Sequence, residues 1–324
     1  MAEEIDWEIP EAVRPKPGEF AFDLDAALQS VVGVQATIPE DAFTAQTLGT
    51  QRVGSGVVIR ESGLVLTIGY LITEAETVWL TTADGRATQG HVAAYDQETG
   101  FGLIQALGRL GVPALALGRS GKLEIGAPLV LAAGGRDHSV RAQLIANQEF
   151  AGYWEYLLEE ALFTAPAHPF WGGSALIGAD GKLLGIGSLH VQQSIPGGPP
   201  RDINMVVPID LLPPILDDLL TYGRPHRPAR PWLGILSAES EGRVVIGGLT
   251  PTGPAAAADI RVGDIVWAVR DEAVTGLADF YRKLWNSGAA GVEIPIELVR
   301  DGRTVWVRVK TLDRRALMKS ASLH

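Results

Sequence analysis

The sequence predicts a mostly β protein with more than one domain, on three observations. From Arg52 onward, short apolar runs alternate with Gly, Pro and Asp-Gly turns, and this spacing is typical of a barrel or a sandwich. Residues 224–231 form a Pro-spaced basic stretch, which indicates a stiff linker. The 324 residues also exceed the roughly 250 to 300 that one hydrophobic core usually holds. The apolar runs lie at 64–67, 78–82, 91–95, 102–107 and 128–133.

Composition and charge exclude several classes of function. The 38 acidic and 27 basic side chains give a formal net charge of −11, which would repel a phosphate backbone. Apolar runs stay well below the roughly 18 residues that a membrane span needs. Cysteine is absent, and the six histidines are spaced singly rather than as metal ligands are. We therefore expect no nucleic acid, no membrane span, no metal and no cofactor.

Residues 1–20 are rich in Pro and Glu without a hydrophobic period, so we expect a tail or a clamp rather than a core element. The first eight residues are acidic, whereas a secretory signal has a basic segment followed by an apolar one. On that ground we expect a cytoplasmic protein, or a periplasmic one if the N-terminus has been trimmed.

Local signals predict three further elements. Apolar residues at helical spacing predict a short helix over residues 24–32. The pair Asp84-Gly85 predicts a tight hairpin turn, because it supplies the positive φ that a two-residue turn requires. A second short helix is expected over residues 211–222, interrupted early by Pro213 and Pro214 and capped by Gly223.

Four segments resemble the HtrA/DegP family of trypsin-like serine proteases. Residues 54–59 (Gly-Ser-Gly-Val-Val-Ile) and 62–67 (Ser-Gly-Leu-Val-Leu-Thr) are similar to the family patterns S-G-x-I-I and D-G-x-I-L-T. Residues 166–187 resemble the segment around the family's active-site serine, and 201–210 its final strand. The resemblance implies a chymotrypsin/trypsin-like double β-barrel over residues 21–212.

The three catalytic groups of that family are replaced. Tyr70 stands at the position of the general-base histidine, Gly100 at that of the orienting aspartate, and Gly172 at that of the nucleophilic serine. A register shifted by one residue would put Trp171 at the last position. A phenol with a pKa of about 10 does not accept a proton at neutral pH, and the three groups of the mechanism act as a unit. We therefore predict a pseudoprotease.

Two alternative functions remain open, an active endopeptidase and an inactive partner subunit. Ser174 and His168 flank the same turn, so an active serine endopeptidase could use them as a relocated nucleophile and base, although nothing in the sequence would orient the imidazole. The chain could also be the inactive partner subunit of an active HtrA relative, and the family's trimers imply a possible homo-oligomer. We expect Phe170 and Trp171 to fill the vacated cleft, or to form an aromatic floor for a ligand. Asp96 matches a non-catalytic acid of the family.

Residues 231–313 resemble an HtrA-type PDZ domain, an α+β fold with a partly open β-barrel and two helices. The resemblance lies in Pro231-Trp232-Leu233-Gly234-Ile235, in residues 251–258 and in residues 260–266. It implies that backbone N–H groups of the first loop hold a peptide's terminal carboxylate, while the peptide adds a strand beside Ile235. The implied peptide-binding residues are Trp232, Leu233, Gly234, Ile235, Phe280 and Leu284.

We thus expect an N-terminal tail (1–20), a degenerate protease domain (21–212), a helix end and linker (213–230), a PDZ domain (231–313) and a frayed C-terminal tail (314–324). The predicted function is that of an inactive peptide- or protein-binding scaffold. Its expected partners are peptides or unfolded proteins, captured by the PDZ domain through a C-terminal or extended segment.

Overall fold

The computed structural model describes residues 9–194 and 197–319. The described residues form two compact units: the first holds 9–148 and 160–225 without 195–196, and the second holds Glu149–Glu159 together with His226–Lys319. The acidic start of the expected N-terminal tail, residues 1–8, and residues 320–324 of the expected C-terminal tail lie outside the described residues.

Twelve described strands build two closed six-stranded barrels. The first barrel has the order β1-β2-β3-β6-β5-β4 and the second the order β10-β11-β12-β9-β8-β7. Closure pairs every strand on both sides, so no edge is left for aggregation. The strands are β1 (Val31–Thr37), β2 (Gln51–Arg60), β3 (Leu64–Ile68), β4 (Thr77–Thr81), β5 (Ala87–Tyr95), β6 (Phe101–Ala106), β7 (Pro128–Ala132), β8 (Ser139–Gly152), β9 (Tyr156–Ala165), β10 (Ala175–Ile177), β11 (Leu183–Gln193) and β12 (Arg201–Pro208).

Side chains that alternate along the strands fill each barrel. The interior of the second barrel is a cluster of aliphatic residues, all of them buried, because successive residues of a strand point to opposite faces of the sheet. Its members are Leu129, Leu131, Leu144, Leu162, Leu176, Leu184 and Val206.

The helices of the first unit are shorter than their sequence patterns predict. Helix α1 (Leu24–Leu28) ends before Val31, which pairs with Val57 across β1 and β2. The prediction of a helix to residue 32 is therefore wrong at its C-terminal end, because β-branched residues gain more from barrel pairing. Helix α2 (Ala45–Leu48) was not predicted, and α3 (Leu216–Tyr222) begins later than expected but ends at left-handed Gly223 as expected.

The hairpin between β4 and β5 forms where Asp84-Gly85 predicts it. The connection is longer than a two-residue turn, since Thr82 N donates to Arg86 O at 3.0 Å and closes a five-residue loop. Of the two residues, only Gly85 has a positive φ, of 84°. The Asp84 carboxylate instead accepts from the hydroxyl of Thr82 at 2.5 Å.

Residues 9–20 behave as a clamp on the second barrel. Ile9 is buried against Val140 and Ala142 of β8. Arg14 pairs with Asp137 at 2.7 Å. The segment therefore belongs to the packed structure of the first unit.

The second unit is a six-stranded antiparallel sheet with two helices. The sheet has the order β13-β14-β15-β17-β18, and β16 pairs with β15, so β13 is an edge strand of this path. Residues 314–317, which we expected to be frayed, form a 3-10 turn capped by Asp313. The elements are β13 (Ile235–Ser240), β14 (Arg243–Leu249), α4 (Pro254–Ala257), β15 (Ile265–Val269), β16 (Glu272–Ala273), α5 (Leu277–Trp285), β17 (Glu293–Arg300) and β18 (Arg303–Lys310).

Helix α5 supplies much of the core of this unit. Phe280, Tyr281 and Leu284 are fully buried against Leu233 and Ile235. Two barrels followed by this sheet and its helices are the mostly β architecture that the sequence predicts.

Candidate functional site

Strand pairing gathers the positions where the sequence analysis places the lost catalytic groups. In the first barrel, Ile68 at the end of β3 pairs with Phe101 at the start of β6. Tyr70, in the 3-10 turn after β3, and Gly100, just before β6, therefore lie at the same end of the barrel. Gly69 N donates to Gly100 O at 2.6 Å, which joins the two segments directly.

The phenol of Tyr70 fills the space beside Gly172. Its hydroxyl donates to Ser188 O at 3.0 Å. A Cβ atom built on Gly172 would lie 2.8 Å from the same hydroxyl oxygen, inside van der Waals contact. Burial raises the pKa of Tyr70 above its ordinary value, against a hydrogen bond with the Trp171 side chain that lowers it. The hydroxyl is therefore a protonated donor and not a base at neutral pH.

Gly100 carries no side chain toward this position, and the nearby acid is used elsewhere. The Asp96 carboxylate accepts from the backbone N–H of Thr99 at 3.1 Å and from its hydroxyl at 2.8 Å. Gly100 N donates to Asp96 O at 2.8 Å, so Asp96 closes the turn before β6. This is a structural role, in agreement with its match to a non-catalytic acid.

The loop before β10 is pressed against β2. Ser55 N donates to Gly172 O at 2.8 Å, and Gly173 N donates to Gly187 O at 2.9 Å. Gly173 has a φ of 79°, and a Cβ there would lie 1.8 Å from the carbonyl oxygen of Ser55. Only glycine fits at position 173, because both the conformation and the space exclude a side chain.

Ser174 and His168 do not form a nucleophile and base pair. The Ser174 hydroxyl donates to Trp171 O at 2.8 Å. The His168 ring places Nε2 2.9 Å from His138 O, and its Nδ1 accepts from Phe170 N at 3.0 Å, which assigns the proton to Nε2. Burial lowers the pKa of His168 to about 4, so the ring is neutral at neutral pH. Both side chains serve to fix the loop.

The expectation that Phe170 fills the vacated cleft is wrong. Its side chain is 45% exposed. Trp171 is half-buried, with its ring centroid 5.3 Å from that of His190. The Tyr70 phenol, rather than either of these rings, takes the space beside Gly172.

A second candidate site lies in the second unit, where three consecutive backbone N–H groups converge on one carboxylate. Leu233 N, Gly234 N and Ile235 N donate to the Glu155 side chain at 2.9, 2.7 and 3.1 Å. Glu155 is only 5% exposed. Burial raises the pKa of Glu155 to about 7, although the three hydrogen bonds and the charge of Arg314 lower it.

The sequence pattern predicts a carboxylate site in this loop but does not identify the residue that occupies it. Glu155 is 78 residues from Leu233 along the chain, and no local pattern links the two. Of the other residues named for this site, Phe280 and Leu284 are fully buried in the core of the unit, and Trp232 forms an isolated bridge with Leu312.

Comparison with known proteins agrees with both units. Residues 54–186 match the trypsin-like peptidase domain, and residues 231–311 match the PDZ domain. The serine endoprotease DegS of Salmonella typhimurium is 24% identical over 310 residues, which are 90% of this chain and 85% of DegS. The solved structure of the HtrA-type protease AlgW with a decapeptide covers 90% of this chain and 98% of its own, with a TM-score of 0.54 and 21% identity. The chain therefore has the domain order of HtrA-type proteases, a trypsin-like peptidase domain followed by a PDZ domain.

Other HtrA relatives differ in length. A probable periplasmic serine endoprotease, DegP-like, of Pseudomonas putida is 26% identical over 268 residues, and the chain spans about half of it, 54%. The serine endoprotease structure from Yersinia pestis covers 90% of this chain and 98% of its own, with a TM-score of 0.53 and 23% identity. At such identities the solved structures establish the fold. Across residues 9–194 and 197–319, the helices are too short or too polar to cross a membrane.

Proposed function

We propose that this HtrA-family protein is a pseudoprotease that serves as a peptide- or protein-binding scaffold. The observation that carries the proposal is the Tyr70 hydroxyl, which lies beside Gly172 and donates to a backbone carbonyl. In an active member of the family, an imidazole would lie next to a serine hydroxyl at these two positions.

Serine-protease chemistry needs an oxygen nucleophile and a base that removes its proton. Gly172 has no oxygen, and the Tyr70 hydroxyl is protonated and engaged as a donor. Gly100 has no carboxylate to orient a base. A site without these groups retains at most the contribution of substrate binding and backbone dipoles, roughly 10³ to 10⁴ over water.

The groove of the PDZ domain, between β13 and α5, has the binding groups that its proposed function requires. The N–H groups of Leu233, Gly234 and Ile235 point to one carboxylate, and such charge-assisted bonds are about twice as strong as neutral ones. Strand β13 lies at the edge of its sheet path and can accept an added strand. Phe280 and Leu284 supply an apolar wall behind the loop. We assign the groove to peptides that end in an apolar residue with a free carboxylate.

Peptides should bind the full chain more tightly as free acids than as amides. Amidation removes the negative charge that the three N–H groups hold, so the affinity should fall by about tenfold or more. The measurement is fluorescence polarisation with a labelled decapeptide pool ending in leucine, prepared in both forms. Equal binding of the two forms would contradict carboxylate capture.

Alanine variants of two glycines, Gly234 and Gly242, provide a test and its matched control for this experiment. At Gly234, with a φ of 79°, a Cβ would lie 2.9 Å from the Trp232 ring. At Gly242, with a φ of 70°, a Cβ meets nothing within 4 Å. Gly234→Ala should weaken binding of the free acid because it displaces the loop, whereas Gly242→Ala should leave the affinity unchanged.

A further inference from the structure

The hairpin tip, residues Glu149–Glu159 at the junction of β8 and β9, forms part of the same compact unit as residues 226–319. Its turn consists of Tyr153, Trp154 and Glu155. The tip contacts the peptide groove in three ways, through its backbone, a carboxylate and an apolar side chain.

The backbone of the tip occupies the open edge of the sheet. Ser237 N, on β13, donates to Tyr153 O at 2.7 Å. The Tyr281 hydroxyl, on α5, donates to Gly152 O at 2.8 Å and accepts from Glu155 N at 3.2 Å. The tip therefore lies between β13 and α5, where an added peptide strand would lie.

Two side chains of the tip resemble the C-terminal residue of a bound peptide. Glu155 presents its carboxylate to the three N–H groups of the loop. Leu157, two residues later, is 7% exposed and belongs to the apolar cluster that contains Leu233 and Phe280. A carboxylate and a buried aliphatic side chain are the two features that this groove would recognise in a C-terminal residue.

The backbone of Glu155 is in a conformation that glutamate rarely adopts. Its φ is 60°, in the left-handed region. The last residue of a three-residue hairpin loop commonly takes this conformation, and Gly is the usual residue there because it has no Cβ. The backbone of a glutamate is strained in this conformation, and such strain persists only where the surrounding contacts fix the residue. The contacts of the carboxylate supply that fixation.

Charged pairs hold the base of the tip to the groove wall. The Arg282 guanidinium on α5 donates to the carboxylates of Glu149 and Glu159, with Nε 3.1 Å from Glu159 Oε1. These groups are exposed, so their pairs are weaker than the bonds of Glu155.

We propose that the hairpin tip is an internal ligand of the PDZ groove, in which the Glu155 carboxylate takes the place of a peptide's terminal carboxylate, so that an external peptide binds only after the tip has left. The inference rests on the proposed peptide-binding function. Three N–H groups serve one carboxylate, and two backbones cannot pair with the same edge of β13. The apparent affinity for a peptide is then the intrinsic affinity multiplied by the fraction of molecules whose groove is open.

Release of the tip should depend on pH. The pKa of Glu155 is about 7 when the tip is docked, and its ordinary value is 4.5. Between pH 4.5 and pH 7, Glu155 is therefore protonated in the docked state and ionised in the released state. Docking is therefore strongest below about pH 4.5, weakens as the pH rises toward 7 and is constant above pH 7. The docking equilibrium constant should change by at most about 300-fold over this range. The other ionisable groups that face Glu155 are Tyr281, whose pKa burial raises further from neutrality, and Arg314, whose positive charge favours the carboxylate.

Amide hydrogen exchange of residues 233–237 measures this dependence. Exchange corrected for its intrinsic pH dependence should speed up between pH 5 and pH 7 in the natural chain. Glu155→Gln should remove the change, since the two proteins share every other titrating group. The same change in both proteins would contradict the assignment to Glu155.

The main test measures binding of the labelled free-acid decapeptide pool ending in leucine to the full chain, its Glu155→Ala variant and a Glu160→Ala control. Glu160 is exposed on β9, next to the tip. Glu155→Ala should bind at least about tenfold more tightly than the natural chain, because the internal competitor loses its charge-assisted bonds. Glu160→Ala should bind as the natural chain does. Arg282→Ala loosens only the base of the tip and should give a smaller increase, of about twofold to fivefold.

The outcomes separate the internal ligand from the peptide function. Equal and measurable binding by the natural chain and Glu155→Ala would overturn the internal ligand and leave peptide capture standing. If neither protein binds the pool, peptide capture fails, and exchange of the amides at 233–235 decides the internal ligand. Faster exchange in Glu155→Ala than in Glu160→Ala would support it, and equal exchange would overturn it.

Discussion

Purified protein is expected to leave unfolded casein intact and to remain unlabelled by a fluorophosphonate probe. Tyr70, Gly100 and Gly172 provide no activated oxygen, and loss of a serine-protease triad lowers kcat by about 10⁶. The measurement is gel-based labelling and casein cleavage at neutral pH, beside an active HtrA protease as the positive control.

Single restoration of the nucleophile should not change this result. In Gly172→Ser, the new Cβ would lie 2.8 Å from the Tyr70 hydroxyl oxygen, and that hydroxyl is a protonated donor that does not remove the serine proton. The matched control is Ser174→Ala, which removes the alternative hydroxyl. Labelling of the natural chain that disappears in Ser174→Ala would contradict the pseudoprotease and identify Ser174 as a relocated nucleophile.

Replacement of Gly173 by alanine should cost about 4 kcal/mol or more of folding free energy. A left-handed φ in a non-glycine residue costs about 1 to 3 kcal/mol by itself. The added Cβ would also lie 1.8 Å from the Ser55 carbonyl oxygen, so the loop before β10 would have to leave β2 and lose its backbone bonds. Denaturant unfolding followed by tryptophan fluorescence measures the change.

Gly85→Ala separates conformational strain from crowding in this experiment. Gly85 has a φ of 84°, close to the 79° of Gly173, but a Cβ there meets nothing within 4 Å. It should cost only about 1 to 2 kcal/mol. Similar losses in the two variants would mean that the loop can move away from Ser55 without penalty, against the close packing described above.

The sequence predicts best the features that repeat along a strand. Short apolar runs, the turn at Gly85 and the left-handed cap at Gly223 follow from local backbone preferences, and the structure has each of them. The helix predicted to residue 32 fails at its end because Val31 pairs with Val57, a contact between residues 26 positions apart in the chain. Barrel pairing outweighs the weak helical preference of that segment.

The sequence by itself determined which residues stand at the three positions that we assign to the catalytic groups, and a glycine at 100 or 172 has no side-chain oxygen in any fold. It also determined the loop of backbone donors at 233–235, since the pattern of that loop is local. Only the tertiary structure decided that the Tyr70 hydroxyl occupies the space beside Gly172 and that Glu155 enters the carboxylate loop. Both contacts join residues about 80 to 100 positions apart in the chain, and local periodicity does not encode such contacts. A buried carboxylate forms its hydrogen bonds with whichever donors folding brings within reach.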